Sequence, residues 1–340
     1  MVLCYGCQNS YKVYPVKERH CGGIPNIGNT CYVNSCLQIS ARLYPDLFRH
    51  MQNDLGHYGQ AIVDKITNDS SQEDVTAGEA QQFCNTLLDG YNRDKTEKLT
   101  PGAQEDAAPV FDFILSEGGT QPIALYATTV DPNNTYPAVN NNNPDNYIFL
   151  NIRFPEESSE NNEEKREASD HTAYSMDALV ANALRGNPVE GYIWEHRQNT
   201  GEQIRGNALA GSRLSFSNLH GLNNRILPIW VHRFIQASNH NPRSATKITT
   251  PIINPFTLTI ASDYLREDSG PYSSRLVGFI LQRGSLNCGH YIAYLKSKAD
   301  KWMRYDDDTV TELYEEPISE AQAAYLYFYQ ANTDVRAEDK

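Results

Sequence analysis

The pattern of apolar and polar positions changes character along this chain. Residues 22–118 read as mostly helical, most clearly over Ala77 to Leu88 and Ala107 to Leu115. A further helix is predicted from Cys31. Asn29 or Thr30 can cap it, Leu37, Ser40 and Ala41 continue a buried face, and Pro45 ends the run. Tyr147 to Phe154 alternates as a strand does, and Met176 to Leu184 reads as a helix. Residues 226–330 then read as successive strands with short connections. Between these halves lie an Asn- and Pro-rich stretch from Asp131 to Asn146, expected to be a long loop, and a charged stretch from Glu156 to Asp170, expected to be mobile. A Gly- and Asn-punctuated segment follows to Asn224. There is no internal repeat. Helices first and strands afterwards predict an α+β fold.

Composition narrows the classes. The chain has 340 residues, 40% of them apolar and 21% charged, as in a soluble globular protein. A net charge of −13 argues against nucleic acid or an anionic membrane as the main partner. No apolar run approaches the roughly 20 residues of a membrane span. The first residues lack the charged-then-apolar layout of a secretory signal. Seven cysteines, an odd number with scattered spacing, suit a reducing compartment. The expectation is a cytoplasmic protein (in the host cytosol if the source is a pathogen).

The candidate chemistry starts at Gly28-Asn29-Thr30-Cys31-Tyr32-Val33-Asn34-Ser35, a small-residue turn delivering a cysteine to a helix start. Free amide N–H groups and the dipole at such an end favour thiolate over thiol. A candidate base lies far downstream in Gly289-His290-Tyr291-Ile292-Ala293-Tyr294, which follows a loop punctuated by Gly284 and Gly289. A second strand, Trp302 to Asp308, comes after a polar turn around Lys298. If that turn makes a hairpin, Asp306 falls opposite or diagonal to His290. Thiol, imidazole and carboxylate then form an arrangement for nucleophilic catalysis.

These boxes resemble those of the ubiquitin-specific proteases, papain-like deubiquitinating cysteine peptidases. Gly23 to Gln38 matches that family's cysteine box almost position for position, and Gly289 to Tyr294 with Trp302 and Tyr305-Asp306-Asp307 its histidine box. Gln104-Glu105-Asp106-Ala107 with Phe111 and Leu115, Leu227-Pro228 leading to His232-Arg233-Phe234, and Ala324 to Tyr329 are similar to three further motifs, in family order. The resemblance implies a helical thumb over about 22–118, inserted β fingers over about 119–225 and a β-sheet palm over about 226–335. These make one catalytic domain, 22–335, behind an N-terminal extension, 1–21.

It also implies the roles. Cys31 would be the nucleophile, His290 the base and later the acid, and Asp306 the third member, with Asp307 able to share or replace it. Asn26 would supply the oxyanion contact. Tyr291 would wall a channel admitting two consecutive glycines, and Asp106 would meet a basic side chain in the ubiquitin tail. Gln104, Gly289 and Trp302 would also contact substrate. The activity implied is hydrolysis of the (iso)peptide bond after the Gly-Gly end of ubiquitin, without a cofactor, by a monomer whose partners are ubiquitin or ubiquitinated proteins. Three alternatives stand beside it: a peptidase for another ubiquitin-like modifier, a non-catalytic ubiquitin-binding domain, or another thiol acyl-transfer enzyme of transglutaminase type.

The chain departs from the family in two places. Cys31 and His290 lie 259 positions apart, wider than the roughly 130–150 of a papain-like chain, so the middle reads as the finger insertion. Family fingers often hold zinc on two CxxC pairs. Here Tyr192-Ile193-Trp194-Glu195-His196 stands instead and residues 85–287 contain no cysteine, so no thiolate zinc site can form there. In the thumb motif Pro109-Val110 replaces the usual carboxylate. Cys4-Tyr5-Gly6-Cys7 with His20-Cys21 offers one CxxC pair only and reads as thiols rather than a metal site.

Overall fold

The computed structural model describes residues 17–19, 22–68, 73–120, 123–133, 138–155, 173–197, 202–215, 226–236, 245–266, 272–285 and 288–332. The expected mobile stretch Glu156 to Asp170 and the Cys4, Cys7 and His20-Cys21 group lie outside them.

Helix α1 (Cys31–Leu43) is the centre of the molecule. Every residue from Cys31 to Ala41 is buried, because α1 runs between two layers rather than along one surface. The expectation of a single buried face is therefore corrected. On one side stand α3 (Asp54–Thr67) and α5 (Ala107–Glu117), with α2 (Leu47–His50) and α4 (Ala77–Asp94) behind; on the other stand strands Gly289–Lys296 and Trp302–Asp306. Polar side chains on so enclosed a helix need partners. Gln38 Nε2 donates to Gly22 O at 2.8 Å, and Asn34 Nδ2 donates to Ile24 O at 3.2 Å. The outer helices start where capping chemistry dictates. Thr76 and Glu79 form a reciprocal capping box on α4, and Asp106 caps α5 through Ala108 N–H.

The strands of the second half form a nine-stranded sheet. Its order is Lys17–Arg19, Thr309–Glu312, Trp302–Asp306, Gly289–Lys296, Tyr272–Gly284, Leu326–Ala331, Ile226–Val231 and Leu150–Ile152, with Thr257–Ile260 also paired to Tyr272–Gly284. All neighbours are antiparallel except the last pair, Leu150–Ile152 with Ile226–Val231. Alternation along Gly289–Lys296 explains the two faces. Tyr291, Ala293 and Leu295 join the core around α1, while Ile292 and Tyr294 join a second core with Trp302, Phe279 and α6 (Met176–Arg185). The short α7 (Ile318–Gln322) leads into the strand Leu326–Ala331.

Three sequence expectations change here. The Tyr147 to Phe154 segment is two strands in two sheets: Asp145–Tyr147 pairs with Ile123–Val130, and Leu150–Ile152 joins the large sheet after the buried Ile148 and Phe149. Residues 131–146 are not wholly loop, since Val139–Asn140 also pairs with Ile123–Val130. The Gly- and Asn-punctuated segment contains a long hairpin, Asn187–Arg197 with Glu202–Ser215, whose register shifts at two bulges. Together these strands make a five-stranded sheet. Backbone pairing needs no apolar alternation when a sheet is largely exposed, which is why the sequence pattern hid it. The layout is that of a papain-like α+β fold with helical thumb, β palm and inserted β fingers. No helix among the described residues is long and apolar enough to cross a membrane.

Candidate active site

The turn before α1 is built around Asn26. Its Oδ1 accepts from the N–H groups of Gly28 at 3.1 Å and Thr30 at 3.2 Å. Gly28 at φ 109° and Asn29 at φ 55° take the left-handed backbone that this reversal requires. Cys31 is thereby the first residue of α1, at the end where unpaired N–H groups and the helix dipole meet. Thr30 holds the capping position without a side-chain bond into the helix; its hydroxyl instead accepts from Ile27 N–H at 3.2 Å.

His290 reaches this cysteine from the start of its strand. The pairing of the two strands starts at Ala293 with Tyr305, and just beyond it the end of one strand brings Asp306 within reach of His290 at the start of the other. Nε2 of His290 lies 2.5 Å from Asp306 Oδ1 and 4.0 Å from Asp307 Oδ2. With Nε2 taken by Asp306, Nδ1 is the nitrogen left for Cys31. The hydrogen bond to Asp306, and after it one to Cys31, push the imidazole up to about 10. Burial would raise the Asp306 carboxyl, but the bond to His290 and the Arg304 guanidinium hold it below its usual range.

Asp307 has a different occupation. It sits at φ 54° in the two-residue connection between Trp302–Asp306 and Thr309–Glu312. Its carboxylate accepts from Asn26 Nδ2 and Asn34 Nδ2, both at 2.8 Å, and its carbonyl accepts from Ile24 N–H at 2.9 Å. Burial raises this carboxyl, against the two amides that lower it. The cysteine turn and the carboxylate turn are thus bolted together. Gly23 allows the approach, since a Cβ there would lie 2.1 Å from Asp308 O.

The remaining expected contacts divide. Gln104 Nε2 donates to Cys31 Sγ at 3.6 Å, so this side chain is in the site. Asp106, expected to meet a basic tail residue, has its carboxylate already engaged within the protein. It caps α5, and both its oxygens accept from Tyr325 OH, at 2.9 and 2.7 Å. Tyr291 is only 3% exposed and packs beside Tyr325, offering little surface to a passing chain. Gly289 begins the strand against Gln282, with no room for a side chain. Trp302, expected to contact substrate, lies between Phe256 and Phe279, 3% exposed in the core on the sheet face away from α1. Asn34 and Arg304 were missed. A clue to Asn34 was its place three residues after Cys31, which points it along the same side of α1.

Among the described residues, His290, Asp306 and Asp307 are the group whose ligand atoms lie within 4.8 Å of one another. Arg304 and the amides of Asn26 and Asn34 already satisfy those carboxylates. That donor set fits hydrogen bonding rather than a metal ion. A sulfur at a helix start beside a cationic imidazole oriented by a carboxylate can attack an acyl carbon and return a proton to the departing group.

This is the constellation of a thiol hydrolase. The family model described as ubiquitin carboxyl-terminal hydrolase matches residues 22–329, and the chain belongs to that family. Among curated relatives, ubiquitin carboxyl-terminal hydrolase cyk-3 of Caenorhabditis elegans is 51% identical over 47 residues, 14% of this chain and 4% of the relative. Ubiquitin carboxyl-terminal hydrolase 4 of Mus musculus is 30% identical over 112 residues, 32% of this chain and 11% of the relative. The match thus spans a small fraction of these longer proteins. The fold is similar to that in the SAGA Ubp8/Sgf11/Sus1/Sgf73 DUB module bound to ubiquitin aldehyde, with TM-score 0.64 and 16% identity over 92% of this chain and 70% of that one. The Ubp8-Sgf11-Sgf73-Sus1 SAGA DUB module gives 0.61 at 16% identity, over 94% and 70%.

Proposed function

We propose that this protein is a cysteine-type deubiquitinating peptidase, hydrolysing the (iso)peptide bond after the Gly-Gly end of ubiquitin. The observation that carries the reading is the meeting of Cys31 with His290, 259 positions away in sequence and bonded to Asp306, at the start of α1. In the proposed cycle the Cys31 sulfur attacks the carbonyl carbon of the terminal glycine, and the C=O electrons move onto oxygen. Asn26 and backbone N–H groups at the helix start face that oxyanion, each donor supplying roughly 3 kcal/mol. Asn26 gives one of its two N–H bonds to Asp307, which fixes the direction of the other. The intermediate collapses, the C–N bond breaks, and His290 gives its proton to the leaving amine. A water then loses a proton to His290 and attacks the thioester, releasing the carboxylate and restoring Cys31.

A second reading, a peptidase for another Gly-Gly-ended modifier, is favoured by one observation. The thumb carboxylates that would meet a basic tail are replaced by Pro109 or engaged by Tyr325. A non-catalytic binding domain has no use for the assembled triad. The buried free thiols Cys31, Cys36 and Cys84 support placement in a reducing compartment such as the cytoplasm.

The test is a ubiquitin probe carrying a C-terminal electrophile. Wild type should be labelled and Cys31→Ala should not. Folded wild type that stays unlabelled by ubiquitin and by probes of other Gly-Gly-ended modifiers would sink the reading; labelling by another modifier alone would select the second.

A further inference from the structure

Lys247 directs its charge at the turn that carries His290. It ends the short hairpin of Phe234–Gln236 with Ala245–Lys247, directly across from Phe234, whose ring centroid lies 5.8 Å from its Nζ. That Nζ donates to the main-chain carbonyl of Gln282, to Gln282 Oε1 and, at 3.2 Å, to Gly284 O. Gln282 passes the hold onward. It is 3% exposed, and its Nε2 donates to Ser285 O at 2.8 Å. Ser285 N–H donates in turn to Cys288 O at 3.1 Å, which closes the turn between Tyr272–Gly284 and Gly289–Lys296. His290 is the second residue of the returning strand, paired with Arg283. Gly289 suits the same arrangement, since a Cβ there would lie 2.1 Å from Gln282 Nε2.

We propose that Lys247 is a positioning residue for His290, acting through Gln282 and the turn ends Ser285 and Cys288 to hold the imidazole against the Cys31 sulfur. The inference rests on the function proposed above, although the alignment it describes can be read without ubiquitin. Asp306 orients the ring from its far nitrogen, and Lys247 fixes the backbone from which the ring extends. The tie has a firm base. Ile248, the next residue, is bonded to Arg233 through both its N–H and its carbonyl. Arg233 is bonded in turn to the carbonyls of Gln322 and Ala324, just ahead of Leu326–Ala331. The charge on Lys247 is not explained by stability alone. Burial, and then the Arg233 guanidinium, lower its ammonium to about 8, with no carboxylate among the described residues to offset either. An apolar side chain of similar volume would avoid that cost. The three oxygens that Lys247 holds all belong to the His290 turn, and charge-assisted bonds fix a turn more firmly than neutral ones.

Lys247→Met, close in length and without charge, tests this, with Gln282→Met beside it. Alkylation of Cys31 by iodoacetamide, followed by mass spectrometry of its peptide, needs no ubiquitin and reports how well the imidazole supports the thiolate. The acid limb of its pH profile should move up by about one unit in either variant. Turnover of a ubiquitin C-terminal fluorogenic amide should lose about tenfold in kcat with KM within about twofold. The double variant should lose no more than the poorer single one, because both side chains act through one chain of bonds. If Lys247→Met does not fold, Gln282→Met alone carries the alkylation reading. An alkylation limb that stays put in a folded variant overturns the proposal whatever turnover does, since a lysine that only stabilises the fold or touches substrate leaves the limb in place. Single losses that multiply in the double variant overturn it as well. A limb that moves as expected in a protein that hydrolyses no Gly-Gly-ended modifier would remove the proposed function and leave the alignment by Lys247 standing.

Discussion

Two adjacent aspartates stand near one imidazole, and replacing each by Asn separates their duties. Asp306 lies 2.5 Å from His290 Nε2 and Asp307 lies 4.0 Å from it. Asp306→Asn keeps an oxygen that can accept from the ring but removes the charge. A charge-assisted hydrogen bond contributes about 1.5–3 kcal/mol. The His290 side chain is 37% exposed, so solvent screening favours the lower part of that range. About 1.5–2 kcal/mol corresponds to roughly a 10–30-fold loss of kcat/KM. The pH profile gives the sharper reading. Asp306 is the largest cause of the imidazole's rise to about 10, so the alkaline limb of kcat/KM should move from near 10 down toward 6.5 in Asp306→Asn. Asp307→Asn should behave otherwise. One amide oxygen cannot accept from both the exposed Asn26 and the buried Asn34, and leaving the Asn34 donor facing a donor costs about 1–3 kcal/mol of stability. Its alkaline limb should move much less. An Asp307→Asn limb that falls as far as that of Asp306→Asn, or an Asp306→Asn limb that stays put, would refute this division.

Further outcomes follow from the same contacts. Gly23→Ala drives a Cβ into the Asp308 carbonyl and should destabilise by about 1–3 kcal/mol with a loss of activity, read by denaturant unfolding and turnover. Arg233, buried at 1% and bonded to the carbonyls of Ala324, Ile248, Thr250 and Gln322, should cost roughly 3–5 kcal/mol when changed to Met, because those carbonyls lose a shared donor. His290 has its pKa raised from 6.5 to about 10 on folding, so its stabilising contribution is full below 6.5 and vanishes as pH rises through 10. The difference in unfolding midpoint between wild type and His290→Gln should shrink over that window. Metal analysis should find no stoichiometric zinc held by residues 119–225, and chelators should leave activity unchanged; zinc bound there would contradict the cysteine-free reading of that region.

What was legible in the sequence was mostly local. The α1 start at Cys31, α5 at Ala107 and α6 at Met176 follow from apolar spacing that a short window contains, although Thr30 makes no side-chain cap bond into α1. That Asp306 falls near His290 was also readable, opposite or diagonal, because a hairpin brings the two strand ends together. What escaped was set by neighbours distant in sequence. Trp302 looked like part of a catalytic box, yet strand alternation turns it to the opposite face from Met303 and Tyr305, into the second core. Asp106 looked like a substrate contact, yet Tyr325, just ahead of the strand Leu326–Ala331, takes both its oxygens. The hairpin Asn187–Arg197 with Glu202–Ser215 lacks the alternation that marks a half-buried strand, since few of its described side chains are buried.

The role of Asp307 connects folding to chemistry. Cys31 belongs to the helical half and His290 to the sheet, and neither half alone fixes the distance between sulfur and imidazole. A reaction that needs its groups placed within a fraction of an ångström needs a rigid tie between the halves. Asp307 supplies one from a turn held at positive φ, with three bonds to Ile24, Asn26 and Asn34. Two of those partners flank Cys31, and Asn26 is also the residue proposed to face the oxyanion. The same carboxylate therefore sets where the nucleophile starts, which way the oxyanion donor points, and how near the carboxylate-bearing hairpin lies. Because Asn34 sits within buried α1, the tie forms only when the helix has docked on the sheet. Docking and alignment are then one event: a chain that loses the Asp307 bonds loses stability and catalytic geometry together, whereas one that loses Asp306 keeps the tie between the halves and gives up the proton chemistry with the stability of the His290 pair.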